Sequence, residues 1–200
     1  MNARWLKVSA LGNLLAACTS VSPHFHTLLP ALAEGEARPP AEARMVGVEP
    51  VRIPAQSDRF ELVMRRSDGG ITLSENELWI APLADELKSS LSVEIERQLT
   101  SSHAKNASFD SAPLSVRIEV ERFESAPSHY AFIEALWQLR ASNTRSQVIL
   151  TCRTDALEHV GKGFAALVRG HQRAVILIAD QIAAAARRLD SGEAAICPSP

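Results

Sequence analysis

The chain carries no cluster of lysine and arginine along its 200 residues. Its 21 basic side chains are scattered among 23 acidic ones. Nucleic-acid recognition needs a concentrated positive footprint, so that class of function is excluded. Long apolar runs are absent too. The stretch from Val8 to Ala17 is too short to cross a hydrocarbon core of roughly 30 Å as a permanent helix. There is no G-x-S-x-G, the tight turn on which many hydrolases mount a nucleophile. Gly161-Lys162-Gly163 lacks the Gly-rich lead and the trailing Ser/Thr of a phosphate loop. No internal repeat is present, and cysteine is limited to Cys18, Cys152 and Cys197.

What is there begins at the amino terminus. Arg4 and Lys7 form a small basic region, an apolar core broken only by Ser9 and Asn13 follows, and Ala17 is a small residue at a cleavage position. Leu15-Ala16-Ala17-Cys18 resembles the lipobox of bacterial lipoprotein signals. The resemblance implies that residues 1–17 are removed, that the Cys18 thiol carries a diacylglyceryl group, and that its amine is then acylated. Two or more acyl chains anchor stably, each buried methylene adding about 0.8 kcal/mol. Thr19 in place of an aspartate implies sorting to the outer membrane. The alternative is a buried Cys18 in an ordinary amino-terminal helix. Losing Arg4 and Lys7 leaves 19 basic against 23 acidic side chains in one domain by length. Cys152 and Cys197 can pair in an oxidising compartment, but spacing does not establish it. Cys152 sits in a strand-like run where a buried thiol is commonplace, and Cys197 sits in a Ser/Pro tail, so the sequence leans towards two separate thiols.

Residues 18–43 read as a lipidated start and stem, with Pro39-Pro40 inside an Ala/Glu/Pro-rich tether that lets an anchored domain stand off from a membrane. Phe25 to Leu28 is a strand-like piece within it that can dock on the domain edge. Residues 44–190 form the domain and 191–200 a frayed tail. Met45 to Pro54 suggests an edge or bulged strand, since Pro50 and Pro54 remove backbone donors. Phe60 to Arg65 and Ile71 to Leu73 flank the turn signal Asp68-Gly69-Gly70, and Glu77 to Ile80 reads as a further short strand. Pro82 opens a helix whose Leu83, Leu87, Leu91, Ile95 and Leu99 pack, with Asp85, Glu86, Glu94 and Glu96 assigned to the wet side. Alternation marks strands at Leu114 to Val120 and Ala131 to Leu139, with Trp137 facing inward, and a third strand runs through Val148 and Cys152. A final amphipathic helix spans about Val160 to Leu189, too charged to cross a membrane. The sum is an α+β fold, a largely antiparallel or mixed sheet with two long helices packed on it.

Catalytic chemistry has little to stand on. Asp155, Glu158 and His159 read as the cap of the last helix and a surface histidine. His24 and His26 point the same way from a strand and can touch one metal, but no carboxylate or cysteine lies near them in sequence. Glu119, Glu121 and Glu124 follow the solvent side of a strand. The expectation is a non-enzyme with no catalytic residues, no metal and no cofactor.

The ordered motifs resemble the PqiC/YmbA-type auxiliary lipoproteins of ABC-type and MCE-type transport systems. They are the lipobox, Phe25 to Leu28, Val48-Glu49-Pro50-Val51-Arg52-Ile53-Pro54, Asp58-Arg59, Leu62-Val63-Met64-Arg65, Trp79 with Pro82-Leu83, Glu134-Ala135-Leu136-Trp137 and the closing helix. Gln56-Ser57 departs from the family's usual tyrosine and aliphatic pair. The resemblance implies a periplasmic, non-enzymatic domain on the inner leaflet of the outer membrane, docking an MCE-domain protein that carries lipids or other hydrophobic molecules. A homo-oligomer is compatible with it. Trp79 is a candidate interface anchor, with a core position as its alternative. Asp58 and Arg59 either pair with each other to fix their loop or present Arg59 to the partner. The competing readings are a structural or assembly lipoprotein of the outer membrane or cell wall, and a hydrolase with an unconventional site.

Overall fold

The computed structural model describes residues 22–31, 46–102, 114–142, 147–191, 193, 194 and 196–198. The strands are β1 (His24–His26), β2 (Val46–Val48), β3 (Glu61–Arg65), β4 (Ile71–Trp79), β5 (Leu114–Ala126), β6 (Tyr130–Ser142) and β7 (Gln147–His159). The helices are α1 (Leu83–Ser102) and α2 (Phe164–Asp190). The strands form one mixed sheet in the order β1-β4-β3-β5-β6-β7, with β2 beside the first half of β5. The β5–β6 and β6–β7 ladders are antiparallel, whereas β1–β4, β2–β5 and β3–β5 are parallel. Both helices lie on one face of the sheet, and among the described residues no element covers the other face.

Side-chain period explains the layering. Along β6, Ala131, Ile133, Ala135, Trp137 and Leu139 are buried, while Phe132, Glu134, Leu136, Gln138 and Arg140 between them are half-buried on the uncovered face. On α1 the leucine and isoleucine stripe every four residues is fully or almost fully buried. Glu86 and Glu94, assigned above to the wet side, are buried as well. They lie on a second stripe with Ser90, one turn apart, which faces α1's neighbours and not water. Each has a partner: Glu86 accepts from the Thr27 hydroxyl and the Leu28 N–H at 2.7 and 2.8 Å, Glu94 takes two hydrogen bonds from Arg97 at 2.6 and 2.8 Å, and Ser90 Oγ donates to the backbone carbonyl of Glu86. α2 packs through small residues, and at Gly170 a methyl group would collide with Val160 and stand 3.0 Å from the Ala131 Cβ.

Several boundaries differ from the sequence expectation. Ile71 to Leu73 and Glu77 to Trp79 belong to one strand, β4, which ends before Ile80 and whose register against β3 shifts between Glu61 and Val63. Of the Met45 to Pro54 segment, the described residues from Val46 on contribute β2 and an isolated bridge from Arg52 to Glu119. Pro50 and Pro54 fall outside the ladder, where the missing N–H costs nothing. Asp155, Glu158 and His159 are not a helix cap. They lie in β7, paired with Glu134, Ala131 and Tyr130, and the cap of α2 is Gly163 at φ 87°.

The tail is pinned. Cys152 and Cys197 are joined by a disulfide with Cα atoms 5.6 Å apart, which corrects the expectation of two separate thiols. The chain reverses after α2, where Ser191 and Glu193 N–H groups donate to the Arg187 and Arg188 carbonyls, and this brings Cys197 back to β7. Cross-linking residues 45 apart in sequence removes loop-closure entropy from the unfolded chain, worth about 2–4 kcal/mol. Cys152→Ala with Cys197→Ala is expected to lower the urea-unfolding free energy by that amount, and a reductant should do the same to the unmodified protein. An unchanged midpoint in both would contradict the stapling role.

Candidate functional site on the uncovered sheet face

The residues singled out from sequence do not assemble into one site. Cys18 lies outside the described residues. Trp79 is 1% exposed, its ring edge-on to Phe123 at 6.1 Å and to His171 at 6.3 Å. The interface-anchor expectation for Trp79 is therefore corrected: it shares the inward side of β4 with the core, and its indole has no surface to offer. Trp137 is likewise fully buried, its indole N–H donating to Thr154 Oγ1 at 3.0 Å and that hydroxyl donating to Gln181 Oε1 at 2.5 Å. Asp58 and Arg59 do not pair with each other. Asp58 accepts the Ala84 N–H at 3.2 Å, capping the first turn of α1, and Arg59 pairs with Glu61 at 3.3 Å. Arg59 stays partly exposed at the mouth of a cleft.

That cleft, about 530 Å³, opens on the uncovered face between the loop of Pro54, Gln56 and Arg59 and strands β3 to β5. Val63, Ile71 and Leu73 give it an apolar floor, and Arg59, Arg65 and Arg122 bring positive charge. Glu124 organises one wall. It accepts from Arg65 at 3.1 Å, from Arg122 at 2.8 Å and from the Tyr130 hydroxyl at 3.0 Å. Burial pushes the Glu124 carboxyl up, but these bonds from Arg122, Tyr130 and Arg65 outweigh it and hold the carboxyl below its usual range. Burial and the bond to Glu124 together raise Tyr130. Arg122 also lies over the Phe132 ring at 4.8 Å. The cleft thus sets a charge-compensated wall beside an apolar floor.

On the covered face, two features escaped the sequence reading: the carboxylate that meets the His24 and His26 pair, and a buried histidine. His24 Nδ1 and His26 Nε2 both meet the Glu77 carboxylate, at 2.9 and 2.5 Å, so β1 brings them to a carboxylate distant in sequence. Burial raises the Glu77 carboxyl, and the bonds from His26 and His24 more than reverse this and leave it lowered. Among the described residues no group of three or more His, Cys, Asp or Glu has the arrangement of a metal site. The second feature is His171, fully buried on α2, with Nε2 2.8 Å from Ser125 Oγ and the ring stacked on Phe123 at 4.1 Å. A serine and histidine at this distance suggest a nucleophile and base, but both are buried, and among the described residues His171 Nδ1 has no partner to orient it. The cheaper tautomer carries its proton on Nε2, donating to Ser125, and leaves Nδ1 as an orphan acceptor. The signal for His171 was its place on the apolar stripe between Leu167 and Val175.

Burial lowers the His171 pKa to about 3. The unfolded chain binds a proton near pH 6.5 that the folded protein refuses, so stability is full above that pH and falls as the pH drops towards 3. The expected loss between pH 7 and pH 5 is about 2 kcal/mol, and His171→Gln should abolish most of that slope. Urea titrations at several pH values measure it; a wild-type slope that persists unchanged in His171→Gln would contradict the assignment.

Comparison with known proteins adds the family. The sequence profile of the ABC-type transport auxiliary lipoprotein component matches residues 26–183. No curated protein matches the chain. Among solved structures, an uncharacterised protein superposes with a TM-score of 0.59 at 17% identity, covering 82% of this chain and 98% of that one. A Xanthomonas campestris protein superposes at 0.53 and 18% identity, covering 86% and 98%. At these identities the two structures establish the shared fold alone. The profile match, which runs from β1 into α2, establishes more: the chain belongs to the family of ABC-type transport auxiliary lipoprotein components, non-catalytic accessories of transport.

Proposed function

We propose that the chain is an accessory of an ABC/MCE-type system that moves lipids or other hydrophobic molecules. It is anchored through Cys18 to the periplasmic face of the outer membrane and docks an MCE-domain protein. The family match over residues 26–183 carries the reading. The Cys152–Cys197 disulfide supports an oxidising compartment such as the periplasm. Among the described residues no helix is long and apolar enough to cross a membrane, and the reading puts the attachment at Cys18. The docking surface is the cleft mouth around Gln56 and Arg59, where an apolar floor, three arginines and a loop fixed by the Asp58 cap meet.

Two experiments separate anchor from docking. Cys18→Ser is expected to abolish lipoprotein processing and membrane association; a variant still processed and membrane-bound would overturn the anchor. A photo-crosslinking residue at Arg59 in intact cells is expected to capture an MCE-domain protein. Capture of a barrel-assembly or cell-wall protein instead would favour the structural or assembly reading and defeat the docking proposal.

A further inference from the structure

The amino-terminal strand decides where the domain can sit. β1 is hydrogen-bonded to β4 in parallel, His24 opposite Glu77 and His26 opposite Trp79. Beyond it, Glu86 accepts from Thr27 Oγ1 at 2.7 Å and from the Leu28 N–H at 2.8 Å, and Gln172 donates to the Thr27 carbonyl. Both ends of the Pro/Ala-rich segment are therefore fixed to the sheet, through β1 before it and β2 after it. That segment cannot space the domain from Cys18, as its composition suggested. Only the six peptide steps from Cys18 to His24 remain, a reach of at most about 22 Å.

The surface at that point is apolar. Phe25 is 58% exposed and Ile80 63%. Phe25 pairs with Leu78, and the Ile80 N–H donates to the His26 carbonyl, so Phe25, Leu78 and Ile80 share the uncovered side of the β1–β4 edge. Phe60, 49% exposed, stands beside them through its carbonyl's bond from the Trp79 N–H. Ile149 and Leu157 are similarly exposed, but they lie on β7 at the opposite edge, roughly 24 Å across the sheet, with no tether beside them. We propose that the Phe25, Leu78 and Ile80 patch is a membrane-contact surface, seated on the lipid interface that holds the acyl chains of Cys18. The inference rests on the anchor reading. A tether this short gives an effective concentration of roughly millimolar, enough for a small apolar patch to engage a surface it would not bind when free.

The disulfide and the lipidated Cys18 leave an introduced cysteine as the free thiol, so a fluorophore can be placed selectively on the full-length lipidated protein. Ile80→Cys and Leu157→Cys, labelled without reductant, are compared on phosphatidylethanolamine/phosphatidylglycerol vesicles containing doxyl-labelled lipid. The expected result is several-fold stronger quenching at position 80 than at position 157. Equal, weak quenching in protein that carries its acyl chains and floats with the vesicles would overturn the patch and leave the anchor standing. Protein without acyl chains that fails to float would overturn both. A fluorophore at position 80 shielded by a crosslinkable polypeptide, in place of lipid, would assign the patch to a protein contact and overturn the proposal.

Discussion

A single buried carboxylate holds the two ends of this molecule's logic together. Glu86 sits in α1 with 4% of its surface exposed, and a charge so placed is tolerable only when hydrogen-bonded. Its partners are the Thr27 hydroxyl and the Leu28 N–H, both from the amino-terminal segment that follows β1. The chain's start is thereby built into the fold, and Leu28, fully buried in the core with Leu62 and Trp79, adds apolar area that α1 alone could not cover. Gln172 of α2 grips the same segment from the other side through the Thr27 and Leu29 carbonyls. Without this clamp, β1 would be a three-residue edge strand with little reason to stay paired.

The rest of the covered face is organised around two polar threads through an apolar layer. One joins Ser125 of β5 to His171 of α2 beneath Trp79 and Phe123. The other runs from Trp137 of β6 through Thr154 of β7 to Gln181 of α2. Each fixes the rotation of α2 over the sheet, because a buried donor that lost its acceptor would cost about 1–3 kcal/mol. With the helices committed to one face, the opposite face keeps the cleft and the exposed apolar side chains, so the surfaces available to partners and to lipid follow from how the core is closed.

Much of this was legible in the residues. The four-residue stripe of α1, the alternation of β5 and β6 and the apolar face of α2 are local periodicities, and a period survives without knowledge of neighbours. What failed were statements about contact. For Trp79 the residues left an interface anchor and a core position open, and it is His171 and Phe123, far away in sequence, that decide for the core. Glu86 and Glu94 read as wet because carboxylates usually are, and only the fold supplies Thr27, Leu28 and Arg97 as partners. Asp155 to His159 resembled a cap because its polar residues precede a helix, whereas β6 pairs with every one of them. The disulfide was missed for the same reason, since Cys197 reaches Cys152 only after α2 has run back along the sheet. The cleft escaped entirely, because its floor and walls come from β3, β4, β5 and a loop, none of which is distinctive alone.

An auxiliary lipoprotein must couple a membrane anchor to a folded partner-binding surface, and the account places that coupling in β1 and its clamp. Amide hydrogen exchange at Leu28 in the full-length lipidated protein tests this directly. Protection comparable to that of Ile118 and Trp137 in the central strands is predicted. Exchange at the rate of an unfolded peptide, with β5 and β6 still protected, would show that the amino-terminal segment is a free tether and would contradict the account.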